Sequence, residues 1–201
     1  MKTKLFLLII SLIISIGCQD NSTNTNNSNY IIPLALGNYW VYRNDGYDTL
    51  GQYHGSYNDT LKIVSEDNIK IGKIYGFING DLITECMNKS DGFYFIYDYS
   101  PQPIESTMVF KYPGFAGEIF NSNFGIANIE STDTLVEVPA GKFHCYKYKI
   151  NRSFSDRMTQ EIYYISPGIG EIYIETLLTY SDNKLDLDLV SKKFLVEYKT
   201  N

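Results

Sequence analysis

The sequence predicts an all-β protein, a single curved antiparallel sheet or flattened barrel with little or no helix outside its leader. Three observations carry that expectation. Turn-forming clusters recur at short intervals, apolar and polar residues alternate at period two, and no stretch after residue 30 shows convincing helical spacing. The 201 residues suit one domain or at most two. With 44% hydrophobic and 20% charged residues, the chain has ordinary material for a packed core.

The chain opens with Lys2 and Lys4 and then an apolar run, Leu5 to Ile14, broken only by Ser11. That run is too short for the ~20 residues of a spanning helix and suits a signal-peptide core. Residues 1–17 therefore read as a lipoprotein signal peptide. Ser15-Ile16-Gly17-Cys18 resembles a bacterial lipobox, in which the cysteine sulfur is lipidated and the chain is cut just before it. Ser15 stands where leucine is usual, and small residues at Ser15 and Gly17 also suit ordinary signal peptidase, which would leave Cys18 a free thiol. Cysteine arithmetic favours lipidation, because Cys86 and Cys145 then remain as an even pair in an oxidising envelope. They are a candidate disulfide.

Residues 18–29 form the expected tether. "QDNSTNTNNSN" (19–29) holds no apolar residue, so it cannot bury surface to offset its ordering entropy. As a flexible coil its eleven residues span about 18 Å. Acyl chains on Cys18, at about 0.8 kcal/mol per buried CH₂, would hold the following domain close to a membrane.

Residues 30–201 are expected to form the all-β domain. Turn signals fall at Asn44-Asp45-Gly46, Asn79-Gly80-Asp81, Ser90-Asp91-Gly92, Tyr112-Pro113-Gly114, Pro139-Ala140-Gly141, Ser166-Pro167-Gly168 and Ser181-Asp182-Asn183. In "GEIYIETLLTY", Ile172, Ile174, Leu178 and Tyr180 share one face with Thr176, opposite Glu171 and Glu175. Leu185, Leu187 and Leu189 alternate with Asp186 and Asp188, and Phe194, Val196 and Tyr198 with Leu195, Glu197 and Lys199. Such alternation marks antiparallel sheet with one buried and one wet face. Trp40 and Tyr42 share a face and are expected to plug one end of the core. Ile119 to Ile129 is the best place for a short helix or irregular loop.

One segment breaks the alternation. "GFYFIYDYS" is apolar or aromatic on both faces, with Phe93, Phe95, Tyr97 and Tyr99 on one and Tyr94 and Ile96 on the other. Such a strand either lies between two layers or lines a ligand cavity, so Phe93, Phe95, Tyr97 and Tyr99 are the candidate ligand-lining residues. The 18 Tyr and 11 Phe divide the same way. They are stacking platforms for flat ligands, or aromatics packed on pleated surfaces.

Three motifs, "IPLALGNYWVY" (Ile32 to Tyr42), "VPAGKFHCYKYKI" (Val138 to Ile150) and "YYISPGIGEI" (Tyr163 to Ile172), together resemble a group of small lipoproteins from Bacteroidota and their neighbours. These are the domain-of-unknown-function 3108-like proteins. The resemblance spans most of residues 32 to 198, but nothing aligns between residues 50 and 130. It implies a curved antiparallel sheet akin to periplasmic lipoprotein carriers that cradle acyl chains, and it brings no activity. The motifs also have a physical reading, since Pro139-Ala140-Gly141 and Pro167-Gly168-Ile169-Gly170 are turns that fold consecutive strands back on each other.

Chemistry-bearing patterns are sparse. His54 is expected in a polar loop, Gln-Tyr-His-Gly-Ser, and His144 sits beside Cys145 on a strand, where neighbours point to opposite faces. No Cys-x-x-Cys or His-x-x-x-His suggests a zinc site, and no nucleophile elbow or phosphate loop occurs. Asp186 and Asp188 would lie ~6.7 Å apart along a strand, a spacing that inverting glycosidases use, although a solvated face explains them fully. Asp182, Asn183, Asp186 and Asp188 fit no EF-hand register. The net charge of -6 becomes -8 once the two leader lysines are removed, so the scattered lysines argue against nucleic acid.

The sequence thus leads to a non-enzymatic lipoprotein of the bacterial envelope, anchored to the outer membrane and facing either the periplasm or the outside. No metal or cofactor is expected. Its partner is an apolar or acyl-like ligand or an envelope protein. A structural or adhesive surface protein and a carboxylate-based hydrolase are the alternatives.

Overall fold

The computed structural model describes residues 29–48, 50–97, 104–154, 157–180 and 188–201. Cys18, Tyr99, Asp186 and the turn signal at Ser181-Asp182-Asn183 lie outside them. The first six strands are β1 (Tyr39–Tyr47), β2 (Tyr53–Ile69), β3 (Gly72–Asn79), β4 (Leu82–Lys89), β5 (Gly92–Tyr97) and β6 (Glu105–Lys111). The second six are β7 (Ile119–Ser122), β8 (Gly125–Val138), β9 (Gly141–Ser153), β10 (Arg157–Ser166), β11 (Gly170–Tyr180) and β12 (Asp188–Lys199). Among the described residues there is no helix.

All twelve strands form one sheet, in the order β6-β5-β4-β3-β2-β1-β12-β11-β10-β9-β8-β7. Each paired neighbour is antiparallel. The first and last strands meet in the middle, where Trp40 lies opposite Tyr198, and the free edges belong to β6 and β7. With one greasy face and no helical layer, the sheet can bury that face only against itself. It does so by rolling into an almost closed barrel. At the seam, the Asn123 amide donates to Met108 O at 2.6 Å and Ser122 Oγ to Val109 O at 2.9 Å.

Rolling brings β4–β6 against β8–β10. Cys86, Phe93, Val109 and Phe110 meet Ile129, Tyr148, Ile150, Tyr163 and Ile165 in one core cluster, with Phe110 5.2 Å from the rings of both Tyr148 and Tyr163. Ile31 and Ile32, from the strap before β1, close this cluster. A second cluster gathers Trp40, Tyr42, Ile172 and Leu195 with Val136, Val138, Phe143 and Cys145. The last four come from the distal β8–β9 hairpin, whose Ala140 amide donates to Leu195 O at 3.2 Å. Trp40 and Tyr42 are fully buried as expected. Trp40 Nε1 donates to Ile169 O at 2.6 Å. At Gly170 (φ +108°) a Cβ would come within 3.3 Å of that same nitrogen, so the glycine lets the β10–β11 turn close over the indole.

The structure corrects several local expectations. Register shifts interrupt most ladders, and each bulge reverses the faces beyond it. Between Val41 and Tyr42 the partner steps from Glu197 to Leu195, so Leu195 is fully buried while Val196 is exposed. Of the expected face of Phe194, Val196 and Tyr198, Phe194 and Tyr198 pack on the second cluster as partly buried residues, while Val196 gives up its place to Leu195. Asn44-Asp45-Gly46 makes no turn. It runs inside β1, paired with Ser56 and its neighbours, and Asp48 to Gln52 makes the reversal instead. His54 lies on β2 rather than in a loop. The Ile119 to Ile129 segment is neither helix nor loop but the β7–β8 hairpin, held by the Ile129–Glu118 and Gly117–Ile129 backbone bonds.

Truncating Leu195 should cost about 2–5 kcal/mol through cavity formation, while Val196→Ala should stay within about 0.5 kcal/mol, as at surface sites. Urea denaturation of the two variants checks this. A larger loss at Val196 would mean that strict alternation holds after all.

Candidate functional site

The two-faced strand is β5, between β4 and β6. Phe93 and Phe95 turn into the barrel, where their rings lie 5.7 Å apart. Phe77 lies 5.8 Å from Phe95, Phe124 5.7 Å from Phe95, and Phe110 6.4 Å from Phe93. These rings, with Leu34, Trp40 and Ile63, enclose an apolar cavity of about 50 Å³. That is little more than the ~30 Å³ share of one liquid water, so the core is mostly filled around a small void.

The opposite face of β5 is covered too. Tyr94 and Ile96 are buried with Ile74 and Met87 in a satellite cluster. Lys89 Nζ sits 4.2 Å above the Tyr94 ring and donates to Ser106 Oγ at 2.6 Å, while the Tyr94 hydroxyl donates to Asp91 at 2.9 Å. β5 thus has apolar packing on both sides and a small void on one. Tyr97 does not border the cavity; its hydroxyl donates to Asn123 Oδ1 at 3.0 Å, at the seam.

A second, larger space opens where the strap meets the start of β3 and the end of β4. This cleft of about 330 Å³ is bordered by Tyr30, Leu34, Lys73, Tyr75, Asn88 and Lys89, among others. Leu34 borders both the cleft and the apolar cavity. Asn88 Nδ2 donates to Ile32 O at 2.8 Å, fixing the strap, while Asn88 Oδ1 is buried without a partner. Sequence reasoning missed this cleft. Period two places Lys73 and Tyr75 on one face of β3, but nothing in the sequence brings the strap to them.

Many aromatics on the outer surface serve packing. Tyr164, Tyr173 and Phe194 are direct cross-strand partners on β10, β11 and β12, with centroids 5.5 and 5.1 Å apart and planes within 28°. Lys147 caps one end of this ladder at 5.8 Å and Arg43 the other at 5.0 Å. The ring faces are taken up by each other and by the cations, so this row offers no stacking platform for a flat ligand.

The cysteines are free thiols in different clusters, so the expected Cys86–Cys145 bridge is not made. Each weakly donates to a nearby carbonyl, Cys86 to Tyr75 O at 3.4 Å and Cys145 to Phe143 O at 3.7 Å. Burial raises both thiol pKa values, that of Cys145 to about 12. His144 is exposed beside buried Cys145, as strand geometry requires, and its Nδ1 meets Asp133 at 2.5 Å. His54 lies 3.5 Å from Asp48. Backbone hydrogen bonds from Gln52 and Leu50 hold Asp48 below the usual carboxylate range, and Lys111 does the same for Glu118. A general acid needs the opposite shift. Among the described residues, no three His, Cys, Asp or Glu side chains gather to hold a metal.

In comparisons with known proteins, no family model and no curated protein matches the chain. Its three motifs therefore lead to no family assignment. Two crystal structures are similar in fold. One is a candidate lipoprotein from Parabacteroides distasonis, at 17% identity and a TM-score of 0.48, over 85% of this chain and 98% of that one. The other is a candidate exported protein with a YmcC-like fold from Bacteroides fragilis, at 15% identity and a TM-score of 0.48, over 85% and 99%.

Because the thiolate is the reactive form, raised pKa values keep Cys86 and Cys145 protonated, and burial blocks access to them. At pH 8 a thiol reagent should leave both unmodified in the folded protein and titrate both after guanidinium unfolding without reductant. Two thiols missing from the unfolded count would instead reveal a disulfide.

Proposed function

We propose that this chain is a non-enzymatic lipoprotein of the bacterial envelope, held on the outer membrane by lipidated Cys18, whose barrel takes up an apolar or acyl-like ligand. The carrying observation is the apolar cavity beside Phe93 and Phe95, separated from an open cleft by Leu34. The leader, lipobox-like stretch and polar tether support the address. A structural or adhesive role is the second reading. The small size of the cavity favours it, because a dry engineered cavity that binds benzene measures about 150 Å³. On the first reading, taking up a chain requires Leu34 or a ring beside it to move.

Native mass spectrometry of the full chain, produced through its own leader in a bacterial envelope, separates these readings. The expected result is a diacyl or triacyl mass that stays on the Cys18 peptide after denaturation, plus a further lipid adduct that denaturation releases. Phe95→Ala should weaken the releasable adduct. A covalent lipid without any releasable adduct would favour the structural reading, and an unmodified Cys18 would remove the anchor.

A further inference from the structure

We infer that the tripeptide Asp-Thr-Leu marks this chain for O-glycosylation in the envelope, with Thr60 and Thr134 as the acceptors. The inference rests on the envelope address and adds a covalent modification to it. Asp-Thr occurs at residues 48–49, 59–60 and 133–134, and each time leucine follows. With 13 Asp, 13 Thr and 16 Leu among 201 residues, chance supplies fewer than about one such tripeptide in ten chains of this composition. Three copies need a common cause, and local structure supplies none. Asp48 belongs to a turn, its Oδ1 accepting from the Leu50 and Gln52 amides at 2.9 and 2.8 Å. Asp59 lies inside β2, opposite Tyr42. Asp133 lies in the bulged stretch of β8, where its carboxylate meets His144. A turn, a regular strand and a bulge share no backbone geometry, so the common reader is an enzyme that meets the chain while it is extended. Leu61 fits that order of events, because it packs on the second core cluster once the barrel has formed.

Thr49 lies outside the described residues, and the two described threonines share one placement. Among the described residues, β3 pairs with β2 only from Leu61 onward, and β7 pairs with β8 only over residues 125–128. Residues 53–60 of β2 and 130–138 of β8 therefore each leave one strand edge open. Such edges template pairing with other chains, and proteins commonly blunt them with lysine or proline. Neither stretch holds a lysine or a proline. Thr60 is exposed and Thr134 half-buried, and neither hydroxyl hydrogen-bonds within the described residues. A glycan is bulky and solubilising, and at these two positions it would shield both edges. In the transfer, threonine Oγ attacks the anomeric carbon of a sugar carried on a lipid pyrophosphate. The anomeric C–O bond to phosphate breaks, the lipid pyrophosphate leaves with the electron pair, and the hydroxyl proton passes to a base on the transferase. The aspartate gives that enzyme an ionic handle beside the nucleophile, and the leucine gives it an apolar one.

The test is peptide mass spectrometry, with electron-transfer fragmentation, of the full chain recovered from the envelope of the bacterium that encodes it. Whole sugar residues should sit on Thr60 and Thr134. Asp59→Asn should cut occupancy at Thr60 at least tenfold and leave Thr134 unchanged, because a site built to read a polar group strongly rejects its loss. Phosphate in place of sugar, or undiminished occupancy at Thr60 in Asp59→Asn, would overturn the inference. Bare threonines on chain whose Cys18 carries lipid would also overturn it, with the envelope address standing. Bare threonines together with a bare Cys18 would overturn the address as well.

Discussion

The structure depends on one constraint. A sheet that is apolar on one face has no helix here to cover it, so it must cover itself. Twelve antiparallel strands pair their backbones in eleven ladders, and the register shifts at successive bulges supply the curvature that rolls the sheet up. What remains is a seam between β6 and β7, crossed among the described residues by the Asn123–Met108 backbone bond, the Ser122 hydroxyl and the Lys111–Glu118 ion pair, with the Tyr97–Asn123 pair beside it. If the seam opened, Val109, Phe110 and Phe124 would face water, and these three also border the apolar cavity. Closure and the candidate site therefore share the same residues.

The strap before β1 is tied into the interior. Ile31 and Ile32 are buried in the first cluster, Asn88 holds the Ile32 carbonyl, and Gly168 N donates to Tyr30 O at 3.1 Å. Leu34 touches both core clusters. The strap is a short segment held by a few hydrogen bonds, whereas the rings beside it pack on one another.

Much of the fold was legible because hairpin turns write themselves into short sequences. Asn79-Gly80-Asp81, Ser90-Asp91-Gly92, Pro139-Ala140-Gly141 and Pro167-Gly168 all fall between paired strands, and Trp40 and Tyr42 behave as core residues. Illegible were the features set by distant parts of the chain. The bulge that buries Leu195 in place of Val196 answers to the neighbouring strand β1. Asn44-Asp45-Gly46 carries turn residues, yet it is held extended by ladders on both sides. The short strand β7 has little local signal and exists because β8 pairs with it. At the candidate site, Phe93 and Phe95 were visible from their two-faced strand. The cleft was not: the β3–β4 hairpin brings Lys73 beside Asn88, but the strap that carries Tyr30 reaches them only in the folded barrel.

Hydrogen exchange at the Asn123 amide tests the closed barrel most directly. That amide sits in the turn of the β7–β8 hairpin, just past the edge strand β7, and its acceptor is Met108 O across the seam. Closure predicts clear protection at Asn123, weaker than in β9 to β11, where ladders run on both sides. Exchange at the rate of an unstructured chain, with β9 to β11 still protected, would mean an open sheet whose aromatic face is wet, contradicting the account.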